Sequence, residues 1–482
     1  MPSGKKGRSG GRKSHAAGKR TSKVGATTSV KKSTPKAGAA SRKRGPARAG
    51  RSAGKPAATR RGEADRTAPA LSPAELETVL REVVSAAKIV DASTRLRPPV
   101  LSSGRSAGID DLLDDPALAI EVVRRRGIAS QSLWNLSRER RCELIWKELF
   151  VEGAPMSTAA LGVLQSLEGL GLSPGRGDLG GLRKWFAGKK PEWLLDTIFS
   201  HGGIEAVVAA VDPFVEIERR RWVRGVPADD RFRYCLELDG LLWDWPSAAQ
   251  ALAQWDYAVS LDFAGDTEAE VGRFVREWAE RTDAVTFGVR LSPGFRLPHP
   301  GPAARLIENV LLPECERRKR PILFRVGEMP AGNPAAGESS GGRRSTDLNA
   351  VEKLLRAFGG TSLLLHGVAR GDEEQITALA GAFGDLHPTG SALDPTSPLA
   401  RPMLADRLGA LGASFTPFVS RANCFERLLP TWSAARATVA GALLDRYRPV
   451  VEADFGITVA DLRADVDALL GRSFLDACGL GA

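Results

Sequence analysis

Among the side chains able to do acid, base or metal chemistry, the five histidines come first: His15, His201, His299, His366 and His387. No two are spaced as His-x-His or His-x-x-x-His, the separations that turn two imidazoles toward one ion from a strand or a helix. They offer no chelating pair. His366 follows the apolar run Leu363 to Leu365, and in a barrel of alternating strands and helices the strand ends carry the chemistry. It reads either as a functional group or as an ordinary strand-end histidine. The five cysteines, Cys142, Cys235, Cys315, Cys424 and Cys478, are scattered and never form Cys-x-x-Cys, which argues against a zinc ribbon or a disulfide framework and for a reducing cytoplasm. Asp372, Glu373 and Glu374 read as a solvated acidic helix start. Gly341-Gly342 and Gly359-Gly360 lack the context of a phosphate loop, and the ten tryptophans read mostly as packing.

A second kind of chemistry is electrostatic. Residues 1–62 hold 19 of the 68 Lys and Arg and no acid, so the remaining 420 residues hold 49 bases against all 57 acids. The body is acidic although the chain as a whole is +11. The arm, 1–69, has no aromatic residue and too little apolar surface to offset an ordering cost of roughly 1–2 kcal/mol per residue, so it is expected to be disordered. Its clusters, Lys31, Lys32 and Lys36, then Arg42, Lys43 and Arg44, resemble linker-histone tails in composition. They suit non-specific DNA or RNA binding by phosphate neutralisation, with nothing to stack on bases. A solubilising arm, contact with acidic surfaces, or a start codon placed too far upstream are the alternatives.

The elements that must position the strand-end groups follow from periodicity. Ser72-Pro73-Ala74-Glu75 is a capped helix start, and Lys88 to Ala92 a short strand. A mostly helical insertion, about 100–200, follows, marked by Cys142 to Phe150, Ala159 to Leu170 and Trp193 to Phe199. Strand candidates then alternate with helical stretches: Ala206 to Val211, Tyr234 to Leu242, Tyr257 to Phe263, Ala284 to Leu291, Pro321 to Val326, Ser362 to Leu365, a weaker one near Leu386, and Ala413 to Pro417. This is the pattern of an α/β fold with a parallel sheet. Nine candidates are close to the eight strands of a distorted (β/α)8 TIM-type barrel, residues 70–482. Residues 330–346 read as an exposed loop. No apolar run approaches the 18 or so residues of a membrane span, and no secretory signal follows the basic start.

Leu144 to Phe150, Pro155-Met156-Ser157, Leu182 to Ala187, Asp212-Pro213-Phe214, Asp230-Arg231-Phe232, Gly412 to Phe415, Trp432 with Arg436, and Gly471 to Phe474 resemble the uronate (glucuronate) isomerases of the amidohydrolase superfamily, in a divergent, planctomycete-type form. The likeness runs in order from about residue 85 to the C-terminus. It implies a barrel that interconverts the aldose and ketose forms of sugar acids, with a divalent metal such as zinc at its mouth.

The resemblance also marks departures. Where the family's first strand ends in His-x-His, this chain has Ser93 and Arg95; where its last strand ends in a metal-binding Asp and, two residues on, an Arg, this chain has Arg421 and Asn423. The family's tandem Trp pair is replaced near Ala392 and Leu393, and its His-Tyr loop has no counterpart. Arg370 and Arg407 are further family arginines. A unit charge about 4 Å from another at an effective dielectric of about 20 interacts by about 4 kcal/mol, so a divalent ion beside one guanidinium would be opposed by about 8. No metal is expected. Two guanidinium groups at a mouth would instead hold a sugar acid or other anion through paired hydrogen bonds, with Arg370, Arg407 and His366 as additional contacts, or they would form salt bridges filling a vestigial cavity. The expectation is an inactive isomerase relative, cytoplasmic and nucleoid-associated through its arm, with a homo-oligomer left open. The alternative is an active uronate isomerase with an altered site, whose base would be Asp91 or His366.

Overall fold

The computed structural model describes residues 69–481 apart from 102–107, 174, 293, 300, 329–344 and 361. The basic arm with Lys31, Lys32, Lys36, Arg42, Lys43 and Arg44, the glycine pair Gly341-Gly342 and most of the loop expected at 330–346 therefore lie outside the described residues. At the described end of that loop Ser345 is exposed, as expected, but Thr346 is not. Thr346 is buried, and its amide donates to Asp372 at 3.0 Å.

The chain enters through the helix Leu76–Ala86. Ser72 donates from its hydroxyl (2.6 Å) and its amide (3.1 Å) to Glu75 in the turn before that helix, whose N-cap is Glu75 and not the Ser72 expected. Seven strands follow in sequence order: β1 Ile89–Thr94, β2 Ile204–Val211, β3 Phe232–Glu237, β4 Ala284–Arg290, β5 Ile322–Val326, β6 Leu363–Gly367 and β7 Leu386–Pro388. Every neighbouring pair is parallel, in the order β1-β2-β3-β4-β5-β6-β7. The segment 415–422 closes the ring irregularly. On one side the Thr416 amide reaches Pro388 O at 3.0 Å, and on the other the Arg421 amide reaches Ser93 O at 3.0 Å and the Arg95 amide reaches Ala422 O at 2.9 Å. The expected α/β barrel is present, with the insertion helices running from Ile109–Leu113 to Pro191–Gly202 between β1 and β2.

Three strand expectations are corrected. Ala413 to Pro417 makes only an isolated bridge, Thr416 with Thr389, and no strand. Tyr257 to Phe263 is not a strand; the Ser260 amide donates to the Thr267 hydroxyl (2.9 Å), the Ala264 amide to the Ser260 hydroxyl (2.9 Å), and Phe263 has φ +61°. Short polar side chains bonding their own backbone there compete with a ladder. The run Tyr234 to Leu242 stops pairing at Glu237 and turns into the short helix Asp239–Trp243.

Alternation along the strands divides two cores. Ile89, Val207, Ala209, Leu236, Ile322, Phe324, Leu363 and Leu365 pack outward under the helices. Val90, Ala92, Val208, Cys235, Leu323 and Leu364 pack inward with Phe474, Leu475 and Cys478 of the C-terminal segment. Arg320, just before β5, holds Cys478 O at 2.6 Å, which places that segment at the barrel's N-terminal end. The C-terminal ends of the strands are left for another purpose.

Candidate functional site

The inward-facing series changes character as each strand climbs. On β2, Val208 and Ala210 lead to Asp212; on β3, Cys235 leads to Glu237; on β5, Leu323 leads to Arg325; on β6, Leu364 leads to His366. All of these residues except Leu364 line a single cavity of about 370 Å³ at the C-terminal ends of the strands. Ser93, Thr94, Arg95, Arg97, Glu218, Asp239, Arg290, Glu328 and Arg421 complete its polar wall. The lining therefore carries five arginines against five carboxyl groups, and the two sets are wired together.

Glu237 accepts both terminal guanidinium nitrogens of Arg325, one of them at 2.7 Å. Asp239 accepts from the backbone amide and the guanidinium of Arg290, and lies 3.5 Å from Arg325. Arg97 pairs with Glu218. Glu328, just past β5, stands between Arg95 at 3.4 Å and Arg421 at 3.7 Å, both reaching the same carboxylate oxygen. Arg421 holds a left-handed backbone, φ +50°, uncommon for a side chain with a Cβ.

Asp212 differs from the other four acids. Its carboxylate accepts the Phe214 amide at 2.8 Å, and no arginine pairs with it among the described contacts. Burial pushes its carboxyl up to about 7, against the Phe214 amide and with help from the negative fields of Glu237, Glu218 and Asp239. It can therefore carry or release a proton near neutrality.

The residues singled out from sequence fall into two groups. Ser93, Arg95, Arg421 and His366 share the cavity wall. His366 is buried, its Nδ1 is 2.7 Å from Thr389 O, and a Cβ on Gly390 would meet that nitrogen at 2.6 Å, so only glycine leaves the ring its place. Asn423 and Arg370 are exposed and outside the lining. Arg407 is 2% exposed and sits behind the barrel in an ion pair with Glu373, its Nε reaching the Thr377 hydroxyl at 3.1 Å. It is therefore a structural cation and does not contribute to the mouth. Asp372 and Glu373 are likewise buried rather than solvated; only Glu374 of that triplet is exposed.

Asp91 is fully buried on the outer side of β1. It accepts from the amides of Ser420 (3.1 Å) and Ser93 (3.3 Å) and from Trp432 Nε1 (3.0 Å) of the helix Leu428–Glu452. The alternation that sends Val90 and Ala92 inward sends Asp91 outward, so it clamps the barrel's closure and does not face the cavity. Sequence reasoning missed Asp212 as a titrating group, and Arg97, Glu218, Glu237, Asp239, Arg290, Arg325 and Glu328 altogether. For Asp212, Glu237, Arg290 and Arg325 the signal was available, since each is the first polar residue at the upper end of an apolar strand run.

Among the described residues no group of three or more His, Cys, Asp or Glu is arranged to hold a metal ion, and the adjoining ends of β1 and segment 415–422 present a hydroxyl and two guanidinium groups. Among the described residues no helix is long and apolar enough to cross a membrane. Comparison with known proteins found no matching family model and no matching curated protein. Solved structures do match. A uronate isomerase from Bacillus halodurans is 31% identical over 85% of this chain and 97% of its own, with a TM-score of 0.81. A glucuronate isomerase from Caulobacter crescentus (12% identity, 88% and 98% covered, TM-score 0.66) and a uronate isomerase from Thermotoga maritima (13%, 83% and 96%, 0.63) share the fold.

Proposed function

Because the chain belongs to the uronate isomerase family, we propose that it is a member whose barrel mouth binds an anionic sugar without the family's metal-dependent turnover. The observation that carries this reading is the meeting of Arg95 and Arg421 on Glu328. A divalent ion there would lie among permanent positive charges, and the Glu328 carboxylate is already engaged by them. The group set supplies the opposite preference: guanidinium forks suited to a carboxylate or phosphate, beside Asp212 and His366 as polar partners for hydroxyls. The arm 1–62, with its excess of Lys and Arg, serves as a salt-sensitive tether to DNA or RNA in a nucleoid-associated, cytoplasmic protein.

A second reading is favoured by one observation. Aldose–ketose interconversion needs a base to move the C2 proton, and Asp212 is a cavity carboxyl held near pH 7 by its surroundings. An assay on glucuronate and galacturonate, with and without added zinc or manganese, separates the two. The expected result is calorimetric heat with at least one uronate and no turnover under any condition. Turnover that follows bound metal would replace this reading with a working isomerase.

A further inference from the structure

We propose that Glu328 is an internal stand-in for a ligand's carboxylate: it fills an anion seat formed by Arg95 and Arg421, and an incoming carboxylate takes that seat as Glu328 withdraws. The inference rests on the reading of the mouth as an anionic-sugar site. It begins from a contrast inside one cavity. Arg325 and Glu237 make a two-pronged pair with both guanidinium nitrogens engaged. Glu328 instead offers a single oxygen to two guanidinium groups, at 3.4 and 3.7 Å, longer than the roughly 2.8 Å of a well-made charge-assisted bond. Glu328 therefore holds the seat by long contacts.

The seat is nonetheless where the positive field converges. Burial raises the Glu328 carboxyl, yet Arg421, Arg325, Arg290 and Arg95 together outweigh it and hold the group below the usual carboxylate range. The Arg95 side chain is 51% and the Arg421 side chain 31% exposed, whereas Glu328 is 14% exposed. A free carboxylate can approach with both oxygens and align with each fork, which a side chain anchored just beyond β5 does not do at these distances. Its departure leaves Glu328 to solvent, so the exchange conserves charge in the mouth.

The test is calorimetric titration of the full-length protein and of Glu328→Gln and Glu328→Ala with glucuronate, galacturonate and inorganic phosphate, each variant's melting curve being recorded alongside. Both variants are expected to bind a uronate at least about tenfold more tightly than wild type, the factor by which a seat that is nine-tenths self-occupied weakens its ligand. Adding Arg95→Gln to Glu328→Gln is expected to remove that gain. If wild type binds a uronate and the Glu328 variants bind it no better, the inference is overturned while the reading of the mouth stands. A gain for phosphate as large as that for the uronates overturns the carboxylate assignment. No heat from any of the proteins overturns the reading of the mouth, and the inference with it.

Discussion

Glu237 on β3 and Arg325 on β5 pair across the intervening strand, over Gly288 of β4. Gly288 is the registered neighbour of Glu237 on one side and of Leu323 on the other, and a Cβ there would lie 2.9 Å from both Glu237 carboxylate oxygens. The missing side chain is what lets two charges on non-adjacent strands meet inside the barrel.

Gly288→Ala is therefore expected to push the Glu237 carboxylate off Arg325. Overpacking of this kind costs about 1–3 kcal/mol. Glu237→Gln leaves Arg325 with Asp239 alone, at 3.5 Å, and is expected to cost about 3–5 kcal/mol, as unpairing a buried charge does. Urea unfolding midpoints measure both, and an unchanged midpoint for either variant would mean that the pair carries no stability.

Asp91 supplies a pH-dependent test. Burial raises its carboxyl to about 6, against the donors Ser420, Trp432 and Ser93, from an ordinary value of 3.8. The folded state thus favours the protonated form, and stability falls as pH rises from about 4 through 6. Trp432→Phe removes a donor to the ionised form and moves the folded value higher still. The variant is expected to lose about 1–3 kcal/mol at pH 8, with the gap from wild type narrowing toward pH 4 in melting experiments. A gap that does not change with pH would place the effect in packing alone.

Glu426 is a second buried acid, in the turn Phe425–Arg427. Burial pushes it up to about 7, with Asp111 adding to the rise while its own backbone, Cys424 and Arg427 oppose it. Stability is lost as pH rises from about 4.5 through 7, on the order of 3 kcal/mol once the group is ionised. Glu426→Gln is expected to raise the melting temperature at pH 8 and to leave it nearly unchanged at pH 5. Equal melting of the two proteins at pH 8 would contradict this.

Metal affinity should be recoverable by chemistry. Wild type is expected to retain no stoichiometric zinc or manganese after purification, and neither ion to raise its melting temperature. Ser93→His, Arg95→His and Arg421→Asp together are expected to restore about one metal per chain, measured by elemental analysis. Stoichiometric zinc in the wild-type barrel would defeat the proposal that guanidinium groups have displaced the ion.

For the arm, log affinity for duplex DNA is expected to fall linearly with log salt, by about 0.9 per phosphate contacted. Deletion of residues 1–68 should abolish the gel shift and leave uronate binding intact. A shift that survives the deletion would move nucleic-acid contact to the acidic body.

By itself the sequence determined the order of alternating strands and helices, the insertion after β1, the charge division between arm and body, and the polar residues capping apolar strand runs. These are local properties, because side-chain alternation along a strand and capping at a helix start depend on neighbours a few positions away. Only the tertiary structure decided the pairings. Glu237 with Arg325 spans 88 residues and Arg95 with Glu328 spans 233, and both depend on the stagger between strands. The same packing turned Asp91 outward onto Trp432, drew Arg407 behind the barrel to Glu373, and kept Tyr257 to Phe263 out of the sheet. A charged side chain settles on whichever opposite charge the packed strands bring near, and spacing along the chain carries no record of that choice.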